Sequence, residues 1–154
     1  MKKLFLLFLA VMLNLFQHPA SAQGTWTQKA DFGGGQRAGA VAFEISNKGY
    51  LGTGNDSASA LKDFWEYNPS NDSWTQKANF VCRISFTVGF SIGNFGYIID
   101  SVNILRKYDP TTNVWMQAAT LPGTPRQFAC GFSVAGNGYV GTGYNGTWLN
   151  DFWK

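Results

Sequence analysis

One histidine, two cysteines and three regularly placed arginines are the residues with which this chain could do chemistry. His18 falls in a leader-like N-terminus, so the rest of the chain carries no imidazole. That removes a Ser-His-Asp triad, a Cys-His dyad and a His-containing zinc site. Cys82 and Cys130 cannot by themselves make a four-thiolate centre. Proton transfer would have to rest on carboxylates, Arg and Tyr. Glu44, on an apolar run whose other copies carry Ser91 and Ser133, and Asp100 are the two odd carboxylates. No catalytic, metal or cofactor-binding residue is assigned, and no cofactor is expected.

The remaining candidates repeat. Arg37, Arg83 and Arg126 open three copies of one unit, which suits a structural role in which five guanidinium donors bond carbonyls of a neighbouring unit. Asp63 and Asp151 recur as well and read as caps on the turn before a strand. Cys130 takes the slot of Val41 and Val88, so it reads as a small buried hydrophobe. Cys82 lies in a turn beside Arg83, and the unlike positions of the two thiols argue against a disulfide.

The frame behind these positions shows first in Trp26-Thr27-Gln28-Lys29-Ala30, which returns letter for letter at Trp74–Ala78 and loosely at Trp115–Ala119. The tryptophans are 48 and 41 residues apart, a period that belongs to solenoids and propellers. Each copy has an alternating run with large apolar residues at positions one, three and five: Val41–Ile45, Val88–Ile92 and Cys130–Val134. Period two over five residues reads as a strand. A second strand opens on Gly-Tyr at Gly49, Gly96 and Gly138, and a third ends at Tyr67 or Tyr108, or stops at Asp151–Lys154. Asn68-Pro69 and Asp109-Pro110 close the third strand as Asx-Pro turns, and Trp74 and Trp115 follow seven residues after Tyr67 and Tyr108. Trp26, Trp74 and Trp115 are expected to be core anchors of a fourth strand. No helical period occurs after the leader, so the chain is expected to be all-β.

Met1–Ala22 reads as a signal peptide: Lys2-Lys3, an apolar run from Leu4 to Phe16, a polar break at Gln17-His18-Pro19, and the small-x-small site Ala20-Ser21-Ala22. The alternative is an uncleaved anchor. The apolar run is shorter than the roughly 20 residues of a membrane span, so a secreted or periplasmic protein with no membrane span is expected. Without Lys2 and Lys3, ten basic residues face nine acidic ones, which gives no electrostatic reason to expect nucleic acid as a partner.

The Arg opening, the Gly-Tyr strand running into Gly52-Thr53-Gly54 and Gly141-Thr142-Gly143, the Tyr-Asx-Pro turn and the following Trp together resemble the kelch repeat of the galactose-oxidase-like β-propellers. The second copy departs from the glycine pair with Ile99-Asp100-Ser101. The resemblance implies a propeller fragment of about three four-stranded blades over 23–154, in units of approximately 37–80, 83–121 and 126–154, with a leading fourth strand at 25–30. Propellers typically close with four to eight blades. Three blades therefore imply either a truncated product or a ring completed by self-association. The copper–radical chemistry of galactose oxidase needs imidazole ligands that are missing here.

Unrepeated loops on a repeated scaffold are where binding resides. The candidates are Asn55 and Asp56 after the second strand of the first unit, and Tyr144, Asn145 and Trp148 at the same place in the third. The expected function is an exported, non-enzymatic interaction or carbohydrate-binding scaffold with a protein or glycan ligand. The alternatives are a His-independent enzyme acting on a sugar acid, as the resemblance to kelch-type sialic-acid mutarotases implies, or a non-functional gene remnant.

Overall fold

The computed structural model describes residues 24–154; the expected signal peptide, 1–22, lies outside them. Eleven strands form three antiparallel sheets in sequence order. Sheet 1 holds β1 (Val41–Ile45), β2 (Lys48–Gly52), β3 (Phe64–Asn68) and β4 (Ser73–Lys77). Sheet 2 holds β5 (Gly89–Ile92), β6 (Phe95–Ile99), β7 (Ile104–Asp109) and β8 (Val114–Thr120). Sheet 3 holds β9 (Cys130–Val134), β10 (Asn137–Gly141) and β11 (Phe152–Trp153).

Short-range rules set the register. The β1–β2 hairpin turns on Ser46 and Asn47, both at positive φ (52° and 62°), the geometry whose twist matches its flanking strands. Val41 then faces Gly52, and Ile45 faces Lys48. Asn68 Oδ1 accepts the Ser70 amide at 3.0 Å, and Asp109 Oδ1 accepts the Thr111 amide at 2.8 Å. These two Asx turns reverse the chain into β4 and β8, so Tyr67 pairs with Trp74 and Tyr108 with Trp115.

Alternation along the inner strands becomes packing between sheets. Val41, Ile45, Tyr50, Phe64, Phe80, Ile98 and Tyr108 are buried in one cluster between sheets 1 and 2, with Trp115 against it. Phe64 meets the Tyr108 and Trp115 rings edge-on, each at 5.0 Å, an arrangement aromatic quadrupoles favour. Val88, Phe90, Ile99 and Val140 make a second cluster between sheets 2 and 3. Each interface is a knob in a gap. A Cβ on Gly96 would overlap the Phe43 ring, and one on Gly138 would overlap the Phe90 ring. Sheet 1 packs on sheet 2 and sheet 2 on sheet 3, with no contact between the strands of sheets 1 and 3.

Three expectations are corrected. Residues 25–30 form no strand, and Trp26 is 101% exposed rather than core. A ladder needs a neighbour, and this segment pairs with no described strand. Cys130 is exposed, not buried. Val88 is covered by the next sheet at Gly131, whereas nothing covers the matching face of sheet 3, where Phe132, Val134 and Phe152 are also exposed. Asp63 and Asp151 do more than cap a turn, as described next. The two cysteines are free.

Candidate functional site

Arg37 and Arg126 are held by their own sheets rather than by a neighbour's carbonyls alone. Arg37 donates through Nη1 and Nη2 to the two carboxylate oxygens of Asp63, each at 2.7 Å, and to the Thr53 and Gly34 carbonyls. Arg126 repeats this with both oxygens of Asp151 and with the Thr142 and Thr124 carbonyls. Trp65 and Trp153 Nε1 complete the two carboxylates at 2.7 and 2.8 Å. Asp151 is thereby driven down to about 2, by its Arg126 bonds first and Trp153 second. Burial pushes Asp63 upward, but Arg37 and Trp65 outweigh it and hold it below the usual range. Arg83 alone follows the expected pattern, donating to the Ala60 carbonyl of the preceding unit at 2.9 Å. Its sheet carries Ile104 where the others carry Asp.

These clamps anchor the loops expected to bind. The connection from the second to the third strand covers 53–63 in sheet 1 and 142–151 in sheet 3, but only 100–103 in sheet 2. Asn55 bridges back to Ala38 and Tyr144 to Gln127, so each long loop folds over its own Arg. Sheet 2 has no such cover, which leaves a cleft of about 360 Å³ beside the sheet 3 loop. Ile84, Ser101, Pro125, Arg126, Gln127, Tyr144, Asn145 and Gly146 line it.

Tyr144 of this lining packs ring to ring with Trp148 at 4.9 Å, and Trp148 remains 81% exposed. Asn145 is spent on shaping the loop: its Nδ2 donates to Thr124 Oγ1 at 2.8 Å, and its Oδ1 accepts from the Thr147 amide and hydroxyl. Asn55 and Asp56 do not join this group; they line a separate hollow with Gln36, Arg37, Ala38 and Ser57. Asp56 Oδ1 accepts the Ser59 and Ala58 amides at 2.7 and 2.8 Å, which lowers its pKa below the ordinary value.

Both odd carboxylates have structural work. Asp100, buried, accepts the Val102 and Ile104 amides through Oδ1 and Arg106 Nε through Oδ2 at 2.9 Å. Glu44 accepts the Asn47 amide in the β1–β2 turn. A third carboxylate escaped the sequence reading. Glu66 receives Lys48 at 2.7 Å and the Tyr50 hydroxyl at 2.6 Å, with Lys77 at 3.7 Å. The residue paired with Tyr97 at the same place in sheet 2 is Lys107; that break in the repeat was its only sequence signal.

No family model matches the chain, and no curated protein matches it. Among solved structures it is similar to YjhT, with a TM-score of 0.71 and 18% identity over 80% of this chain. The chain spans about half of YjhT, 50% of that structure being covered. At this identity the likeness speaks for fold alone: an all-β chain whose three sheets are arranged as successive blades of a kelch-like propeller.

Proposed function

We propose that the chain is an exported, non-enzymatic scaffold that takes a glycan in the cleft between sheets 2 and 3. The observation that carries this reading is the exposed Trp148 ring packed against Tyr144, which lines a cleft whose polar groups are amides, hydroxyls and the Asp151-paired Arg126. Aromatic faces cover the C–H faces of a sugar ring, while Ser101 and Gln127 supply hydrogen-bonding groups at the same mouth. Among the described residues no carboxylate lines the cleft, and a carboxylate is the usual partner in general acid–base chemistry. Both Arg126 terminal nitrogens are on Asp151, which leaves the guanidinium as a wall rather than a free anion clamp.

A sugar-acid enzyme is the second reading, favoured by the one fact that Arg126 does line the cleft. A glycan array probed with the full chain, followed by calorimetry on the best ligand, separates the two. Under the scaffold reading a glycan binds without turnover, and Trp148→Ala and Tyr144→Ala each weaken it by roughly tenfold, about 1.4 kcal/mol. Proton NMR showing catalysed mutarotation of sialic acid would replace the scaffold reading with the enzymatic one. Binding unchanged in both variants would remove the cleft from either.

A further inference from the structure

We propose that Asn145 is a self-modification site: the Gly146 nitrogen closes its side-chain amide into a succinimide, which water opens to aspartate or isoaspartate. The chemistry stands apart from the ligand reading above, although its product falls on the loop that walls the same cleft.

Ring closure needs a glycine-like neighbour, a turnable backbone and an unengaged nitrogen. The sequence holds two Asn-Gly pairs, Asn137-Gly138 and Asn145-Gly146, and glycine leaves the attacking nitrogen uncrowded by a Cβ. The structure treats the two pairs differently. Asn137 and Gly138 lie in β10, opposite Val134 and Ser133, and a Cβ on Gly138 would overlap the Phe90 ring. Closing the ring turns the chain about the Asn ψ, the dihedral that a strand ladder fixes. Gly146 instead sits at φ 111° on an exposed loop outside every strand, with nothing within 4 Å of where a Cβ would stand. Its amide donates to no partner among the described residues.

The loop also surrounds the Asn145 carboxamide with the groups this reaction uses. Attack on Cγ pushes negative charge onto Oδ1. That oxygen already accepts from the Thr147 amide at 3.4 Å and the Thr147 hydroxyl at 3.3 Å, a pair placed as oxyanion donors are. Nδ2 donates to Thr124 Oγ1 at 2.8 Å, so the leaving nitrogen stands beside a hydroxyl that can return a proton to it. Asn137 has no such surroundings: its Nδ2 faces the Ala135 carbonyl at 2.9 Å, which has no proton to give.

The bond formed is Gly146 N to Asn145 Cγ, and the bond broken is Asn145 Cγ to Nδ2. The Gly146 amide proton passes to solvent, the side-chain nitrogen leaves as ammonia, and only water is consumed. Opening the ring at Cγ gives aspartate on an ordinary backbone. Opening it at the main-chain carbonyl reroutes the chain through Cγ and inserts an extra backbone atom between Tyr144 and Trp148. Either product puts a carboxylate on a cleft that has none among the described residues.

The test is peptide mapping by mass spectrometry of the purified full chain held in mildly alkaline buffer, beside a synthetic peptide spanning 143–149. Position 145 is expected to gain the mass that exchanges an amide for a carboxyl, part of it as isoaspartate, while 137 keeps its amide. The folded chain should convert no more slowly than the peptide, because the loop already holds the oxyanion donors in place. Thr147→Val should slow the chain severalfold, with its β-sheet circular dichroism kept, and leave the rate of the peptide unchanged when made there. Slower conversion in the chain than in the peptide overturns the inference, as does conversion at 137 as fast as at 145. A Thr147→Val chain as fast as its parent overturns it equally.

Discussion

Tyr50 donates its hydroxyl hydrogen to Glu66 Oε2 at 2.6 Å, at the edge of the core between sheets 1 and 2. Burial, then the bond to this carboxylate, drives the Tyr50 phenol well above the ordinary range. Tyr108, buried beside it, is raised chiefly by its own burial. Spectrophotometric titration is therefore expected to show these two phenols still protonated at about pH 10, the ordinary tyrosine value. The folded-state values lie above the unfolded ones, so their stabilisation is full below about pH 10 and is lost as pH rises beyond it. Six tyrosines titrating together while the circular dichroism stays native would contradict this.

Acid acts on a different pair. Asp151, held down to about 2 by Arg126 and Trp153, contributes stability that is complete above its unfolded value near about 4. That contribution fades as pH falls from there toward about 2. Asp151→Asn should flatten this acid limb in urea melts run across the interval. An unchanged slope would mean that the pair does not persist in solution.

The repeated tryptophans are not equivalent. Trp115 packs against the core cluster through Phe64, Phe80 and Tyr108, whereas Trp74 meets Phe32 and Tyr67 outside it. Trp115→Ala should cost about 3–5 kcal/mol, as large-to-small core changes do, and Trp74→Ala distinctly less. Denaturant melts of the two variants giving equal losses would refute this ranking.

One substitution should stabilise. Ala135 sits at φ 49° in the β9–β10 turn, followed by Gly136 at 74°. A left-handed alanine costs about 1–2 kcal/mol, and Asn-Gly is the favoured pair for such a turn. Ala135→Asn should raise stability by about 1 kcal/mol, read as a higher melting temperature. A lower one would refute the strain assigned to this position.

Strand order and partners were legible because alternation, Asx-Pro turns and the Tyr-to-Trp interval are local signals repeated in each unit. Tyr67 and Tyr108 were placed correctly beside their tryptophans, and each also donates its hydroxyl to the turn, at Asp72 and Asn113. The Arg–Asp clamps were half legible. Arg recurs in all three units, Asp only in units 1 and 3, with Ile104 in its place in unit 2; both recurrences were weighed, but the acid was given to its turn and not to the Arg. Exposure was the illegible part. The Cys130 slot is core in sheets 1 and 2, at Val41 and Val88, and the Trp26 slot packs on the core at Trp115 but not at Trp74; residue type alone does not tell these apart. The cleft was hidden for a related reason: it is made by the shortness of the 100–103 connection, a missing loop rather than a motif.

Because sheets 1 and 3 communicate only through sheet 2, the middle sheet acts as a keystone. Amide exchange should grade outward from it, with Ile98 and Tyr108, both 0% exposed, among the last to open and β11 among the first. In such a linear array each interface is a separate nearest-neighbour coupling. Damage at Phe90, which is wedged between sheets 2 and 3, should therefore unfasten the C-terminal third while the N-terminal two thirds stay folded.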